Sequence, residues 1–107
     1  MEIGLKYKAI ANNEVNIINA FSTDGLLITH KLKVLDDDKK YFPPYYGAFI
    51  VRMASLEKYP GLEAALDKLA GKLNDVEMQK LNYAVDQEKK DPAVVVKAFL
   101  QNKNLVR

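Results

Sequence analysis

Residues 41–49 read YFPPYYGAF, so Tyr41, Phe42, Tyr45, Tyr46 and Phe49, half of the chain's aromatics, gather around a double proline. Phe42 and Pro43 each precede a proline, which drives both away from helix and toward extended or polyproline backbone. Rings on such a stiffened segment hold set angles and have little entropy left to lose on binding. A fixed group of ring faces attracts a cation that donates no hydrogen bonds, such as a quaternary ammonium. Each desolvated contact of that kind is worth roughly 2 kcal/mol or more. The same rings could cap the edge of a core, pack on the next helix, or dock a partner peptide as an interaction module. Chemistry alone leaves these uses open.

Other chemistry is thinly supported. The one histidine, His30 in LLITHKL, has no serine or carboxylate pattern that would mark it as a base. Ser22 and Ser55 lack a nucleophile-elbow context, and there is no glycine-rich phosphate loop. A calcium loop begun at Asp36 would need glycine sixth and glutamate twelfth, where Tyr41 and Gly47 stand. The run Asp36-Asp37-Asp38 therefore reads as a solvated turn. With no cysteine, disulfides and thiolate sites are excluded. No enzyme, cofactor or metal is expected.

The 107 residues suffice for one small domain. Sixteen basic and fourteen acidic residues are interspersed, leaving +2 and no electrostatic footprint for nucleic acid. The start, MEIGLKYKAI, lacks the basic-then-apolar order of a signal peptide, so an export label is not expected on this piece. No apolar run approaches the length of a membrane span.

The texture changes near residue 52. GLKYKAIA (4–11) is read as a short helix facing inward through Leu5, Ala9 and Ile10. VNIINAF (15–21) reads as a buried strand, with Val15, Ile17 and Phe21 on one side and Ile18 and Ala20 on the other. STDG (22–25) is a turn; LLITHKLKVL (26–35) reads either as a short helix plus strand or as one long strand, with a strand favoured at 32–36. Beyond 52, Tyr59, Leu62, Leu66 and Leu69 recur at helical spacing before a capping Gly71. Asn74 with Glu77 forms a capping-box-like start for a helix buried through Met78, Leu81 and Val85. Asp91-Pro92 opens a last helix with Val95, Ala98 and Phe99 inward.

In order and spacing, STDG, VLDDDKKYFPPY and LNYAVD, with GLKYKAIANNEVNIINAF before and DPAVVVKAFL after, resemble the C-terminal part of a known family. It is that of the substrate-binding proteins or domains of ABC importers for glycine betaine, carnitine, choline and related osmoprotectants. The resemblance covers essentially the whole chain. It implies an α/β fold, the C-terminal part of a two-lobed periplasmic-binding-protein-like (type II) architecture. Short strands would fill the first half and three to four helices the second. Residues 1–46 would finish the second lobe, 47–51 would form the hinge crossover, and 52–107 would return as helices of the first lobe. Met1 would then align with an internal residue of full-length relatives.

In that family a box of tyrosines holds the cation. Two of its positions, directly before STDG and directly after the two prolines, are Phe21 and Tyr45 here. Thr23, Asp24 and Tyr46 are further candidates. Phe21 departs from the usual tyrosine, so the ring face remains but the hydroxyl is lost. Tyr46 replaces a smaller polar residue, and Gly47-Ala48-Phe49 replaces a common Ala-Ala-Pro. The resemblance implies an extracytoplasmic, membrane-associated solute-binding component, free or fused, that delivers a quaternary-ammonium solute to an ABC permease. With only part of the box, this piece is expected to bind weakly or not at all alone. Its uncovered apolar faces invite self-association or a domain-swapped dimer.

Overall fold

The computed structural model describes residues 3–107, and among them six helices and no strand. They fall into two compact units: one takes the residues up to Val34 together with Asn74–Arg107, the other Leu35–Leu73.

In the first unit, α1 (Ile3–Ala11) and α2 (Leu26–Thr29) precede α5 (Asp75–Asp86) and α6 (Pro92–Asn102); in the second lie α3 (Met53–Lys58) and α4 (Leu62–Asp67). The capping chemistry follows the side chains. Asn74 accepts from the Glu77 amide at 2.8 Å, and Asp91 accepts from the amides of Ala93 and Val94 with Pro92 at the first helical position. Helices α1, α2 and α6 all close in the same way. Amides of Glu14, Leu32 and Leu105 reach back five residues to Ala9, Leu27 and Leu100, each at 2.9 Å. That closure puts Asn13, Lys31 and Asn104 at positive φ, where a Cβ costs about 1 kcal/mol.

The first unit packs α2 on α5 and α5 on α6. Met78, Leu81 and Val85 of α5 are half-buried, as are Val95, Phe99 and Leu100 of α6. Ala98, expected inward, is exposed. The buried residue of α1 is Tyr7, at 2% exposure, whereas Leu5, expected on the inner face, is exposed. Tyr7 goes inward because it has both a ring to bury and a hydroxyl that finds an acceptor there. Beyond α6, Lys103 pairs with Glu77 at the start of α5 and lies 5.6 Å from the Phe99 ring centroid.

The Lys103 ammonium holds the Glu77 carboxyl below the usual carboxylate range, with a smaller contribution from the Asn74 backbone amide. A depressed carboxyl contributes stability above its unfolded value of about 4.3, and that contribution is lost as pH falls through the folded value. Glu77→Gln is therefore expected to lower the melting temperature slightly near neutrality and to leave it unchanged in strong acid. A thermal-melt series against pH checks this. A deficit that persisted in strong acid would assign the role of Glu77 to packing.

The strands expected at 15–21 and 32–36 do not form. Residues 15–20, 33–36 and 43–51 make no backbone–backbone hydrogen bond among the described residues. A strand exists only where a neighbour supplies the other half of its ladder, and no segment here does so for these runs. Ile17, expected to be buried in a sheet, is accordingly 77% exposed. In LLITHKLKVL, the apolar start forms α2, the short helix of one of the two readings, but no strand follows it.

In the second unit the acidic run is a turn organised by one carboxylate. Asp37 accepts from the amides of Tyr41 at 2.9 Å and Phe42 at 2.8 Å, and its carbonyl accepts from Lys40 at 3.1 Å. The helix expected to include Tyr59 is interrupted there. Tyr59 precedes Pro60 and leaves helical conformation, and Gly61 at φ 93 restarts the chain into α4. Leu62, Leu66 and Leu69 keep their shared half-buried side; α4 ends at Asp67 with Lys68 as its cap, so Gly71, though at positive φ, lies beyond the capping position expected of it.

Candidate functional site

The turn that carries Phe21 is fixed by three parts of the first unit. Within the turn, the Asp24 amide donates to the Phe21 carbonyl at 3.1 Å, and the Phe21 amide donates to Asp24 Oδ2 at 3.3 Å. From α1, the Tyr7 hydroxyl donates to that same Oδ2 at 2.7 Å. From α5, Asn82 Nδ2 donates to the Thr23 carbonyl at 2.8 Å, and Gln79 Nε2 donates to the Ser22 carbonyl. Side chains of two helices thus bind three consecutive residues, Ser22 and Thr23 through their carbonyls and Asp24 through its carboxylate, which in turn holds the Phe21 amide.

Gly25 permits this approach. A Cβ there would lie 2.7 Å from the Tyr83 nitrogen and 2.9 Å from its Cα, both backbone atoms of α5. Only a residue without a side chain lets the start of α2 rest so closely on another helix. Leu27, one turn on, is buried. Burial, and then the Asp24 hydrogen bond and charge, push the Tyr7 phenol well above its ordinary value, so it stays a neutral donor. His30 stacks on Tyr7 with ring centroids 5.8 Å apart and planes 18° from parallel. Its place is against a structural tyrosine.

The candidate residues divide accordingly. Phe21, Thr23 and Asp24 share the pinned turn; Phe21 keeps 59% of its surface exposed, and Thr23 and Asp24 use their backbone carbonyl and carboxylate inside the protein. Tyr45 and Tyr46 belong to the second unit, where they are 91% and 88% exposed. Tyr41 and Phe42 are engaged with each other, edge to face at 5.1 Å. Tyr7, Gln79 and Asn82 were not singled out by the sequence. A usable signal was present for the last two: amide side chains three residues apart, flanking Leu81 on a half-buried helix, need partners.

Residues 1–102 match the family described as the substrate-binding domain of the ABC-type glycine betaine transport system. The chain belongs to that family. It is a family of solute-binding transport domains, not of enzymes. Among its relatives, the carnitine transport binding protein OpuCC of Listeria monocytogenes is 45% identical over 104 residues, covering 97% of this chain and 34% of that protein. The ergothioneine transport permease/ergothioneine binding protein EgtU of Helicobacter pylori (strain G27) is 41% identical, covering 98% of this chain and 19% of the relative. The glycine-betaine-binding protein of Pseudomonas aeruginosa is 39% identical, covering 99% and 34%. A solved glycine betaine/carnitine/choline ABC transporter structure superposes with a TM-score of 0.88 at 40% identity, covering 98% of this chain and 38% of that one. The chain thus spans about a third or less of the length of the curated relatives it matches.

The resemblance carried by STDG, VLDDDKKYFPPY and LNYAVD stands. The fold is that of a periplasmic-binding-protein-like transporter component, without the short strands expected of it among the described residues. No helix among those residues is long and apolar enough to cross a membrane.

Proposed function

We propose that the chain contributes to an aromatic cage for a quaternary-ammonium compatible solute such as glycine betaine, choline or carnitine. Phe21 and Tyr45 would each offer a ring face, with Thr23, Asp24 and Tyr46 as further candidates. The observation that carries this reading is the Phe21 turn. Its backbone is tied to α1 and α5, yet the ring projects largely uncovered. A ring fixed in place and left bare is costly for a purely structural residue and suited to a ligand that must be held without hydrogen-bond donors.

The relatives named for carnitine and glycine betaine support the solute class, and the fused permease of the H. pylori relative supports a permease partner. In this reading the protein acts extracytoplasmically and does no chemistry. Residues 47–51 serve as the crossover between lobes, and lobe closure removes water from the cation, strengthening its attraction to the rings. The 107-residue chain alone has too few rings for tight capture, and its bare apolar faces favour self-association.

The test is the charge itself. In the whole binding protein, with this segment joined to the remaining two thirds found in its relatives, choline is titrated calorimetrically against its neutral carbon isostere, 3,3-dimethylbutan-1-ol. One desolvated ring contact already predicts about 30-fold tighter binding of the cation, and two predict more. Equal affinities would end the cage reading.

A further inference from the structure

We infer that Asn82 and Gln79 of α5 are positioning residues of the solute site, acting through Phe21 without touching the solute. This rests on the reading that Phe21 belongs to the cation cage. Phe21 is 59% exposed, so packing does little to fix its direction. Its angle must therefore come from its backbone. That backbone is the first residue of a turn whose next two carbonyls, of Ser22 and Thr23, receive the amide groups of Gln79 and Asn82.

Gln79 and Asn82 stand three apart and so share one side of α5, the spacing needed to meet successive carbonyls of a crossing turn. Gly25 lets the turn sit against the helix backbone at Asn82 and Tyr83, which keeps both amide groups within reach. On the opposite side, Tyr7 and Asp24 hold the Phe21 amide and the turn closed. The residues that aim the ring thus lie more than fifty positions later in sequence, on a helix that contributes no group to the cage.

Cation–ring attraction depends on the ion lying over the ring face, so a rotated turn weakens binding while the fold persists. A double-mutant cycle separates positioning from general stability. The whole binding protein is titrated with glycine betaine and with carnitine in four forms: wild type, Asn82→Asp, Phe21→Leu, and the double variant. Asn82→Asp is nearly isosteric but replaces the donor with an oxygen that repels the Thr23 carbonyl. It is expected to weaken binding about tenfold where Phe21 is present, the size of one lost buried hydrogen bond. It should change affinity less than twofold where Phe21→Leu has already removed the ring. Losses of equal size in both backgrounds, or no loss in either, overturn the positioning role. Should Asn82→Asp fail to fold by circular dichroism, Gln79→Met replaces it in the same cycle under the same criteria. If Phe21→Leu binds both solutes as the wild type does, the cage reading falls and the positioning role with it. A costly Phe21→Leu beside a silent Asn82→Asp removes the positioning role alone.

Discussion

Gly25→Ala is expected to lower the melting temperature of the chain by roughly 10 °C, although Gly25 has an ordinary helical conformation at φ −63 and ψ −26. Backbone freedom is therefore not why glycine stands there, and alanine would normally stabilise such a position by about 0.5–1 kcal/mol. The obstacle is space. The new methyl would meet the Tyr83 nitrogen at 2.7 Å, its Cα at 2.9 Å and the Asn82 carbonyl carbon at 3.0 Å. These are atoms of a hydrogen-bonded helix and cannot rotate aside, so α2 must lift off α5 at a cost of about 1–3 kcal/mol. Gly4 within α1 is the control, because nothing lies within 4 Å of its added Cβ. The same substitution there should raise the melting temperature. Both are read by far-UV circular dichroism; a Gly25→Ala chain as stable as the wild type would mean that α2 and α5 do not meet as described.

Tyr45→Ala is expected to weaken solute binding in the whole protein by about 30-fold, and Tyr41→Ala by less than about threefold. Both are tyrosines of one short segment, so the contrast tests geometry, not composition. Tyr41 has its amide held by Asp37 and its ring against the Phe42 edge. Tyr45 follows the two prolines with almost its whole side chain uncovered. Tyr41 is also largely exposed, at 83%, so the contrast rests on its pairing with Phe42 and on its place before the prolines, not on burial. Isothermal titration with glycine betaine distinguishes them, and equal small losses would remove Tyr45 from the site.

What the sequence made legible was local chemistry. The caps at Asn74 and Asp91-Pro92 were readable because their hydrogen bonds close within a few residues, and so was the turn at Asp37. The leucine stripe of α4 was readable from its spacing. Sheet structure was not, since VNIINAF has a strand's composition but a ladder depends on another segment. On α1, Ala9 and Ile10 are half-buried as expected, but the buried Tyr7 was missed because it is held by an acceptor seventeen residues away, which no helical periodicity encodes. For the candidate site, the resemblance supplied Phe21 and Tyr45. The groups that fix the Phe21 turn come from α5, and their pairing with Ser22 and Thr23 exists only in three dimensions. Gly25 sat in plain view inside STDG, where it reads as turn punctuation; its actual reason is a helix pressed against it.

Three helices end on asparagine or lysine at a dihedral that glycine would adopt freely. The fold is therefore not at its thermal ceiling, and Asn13, Lys31 and Asn104, all on exposed helix ends, are places where it has slack. An engineer seeking a durable fluorescent reporter for osmolytes could harden the scaffold at those peripheral joints while leaving the recognition surface as evolution left it.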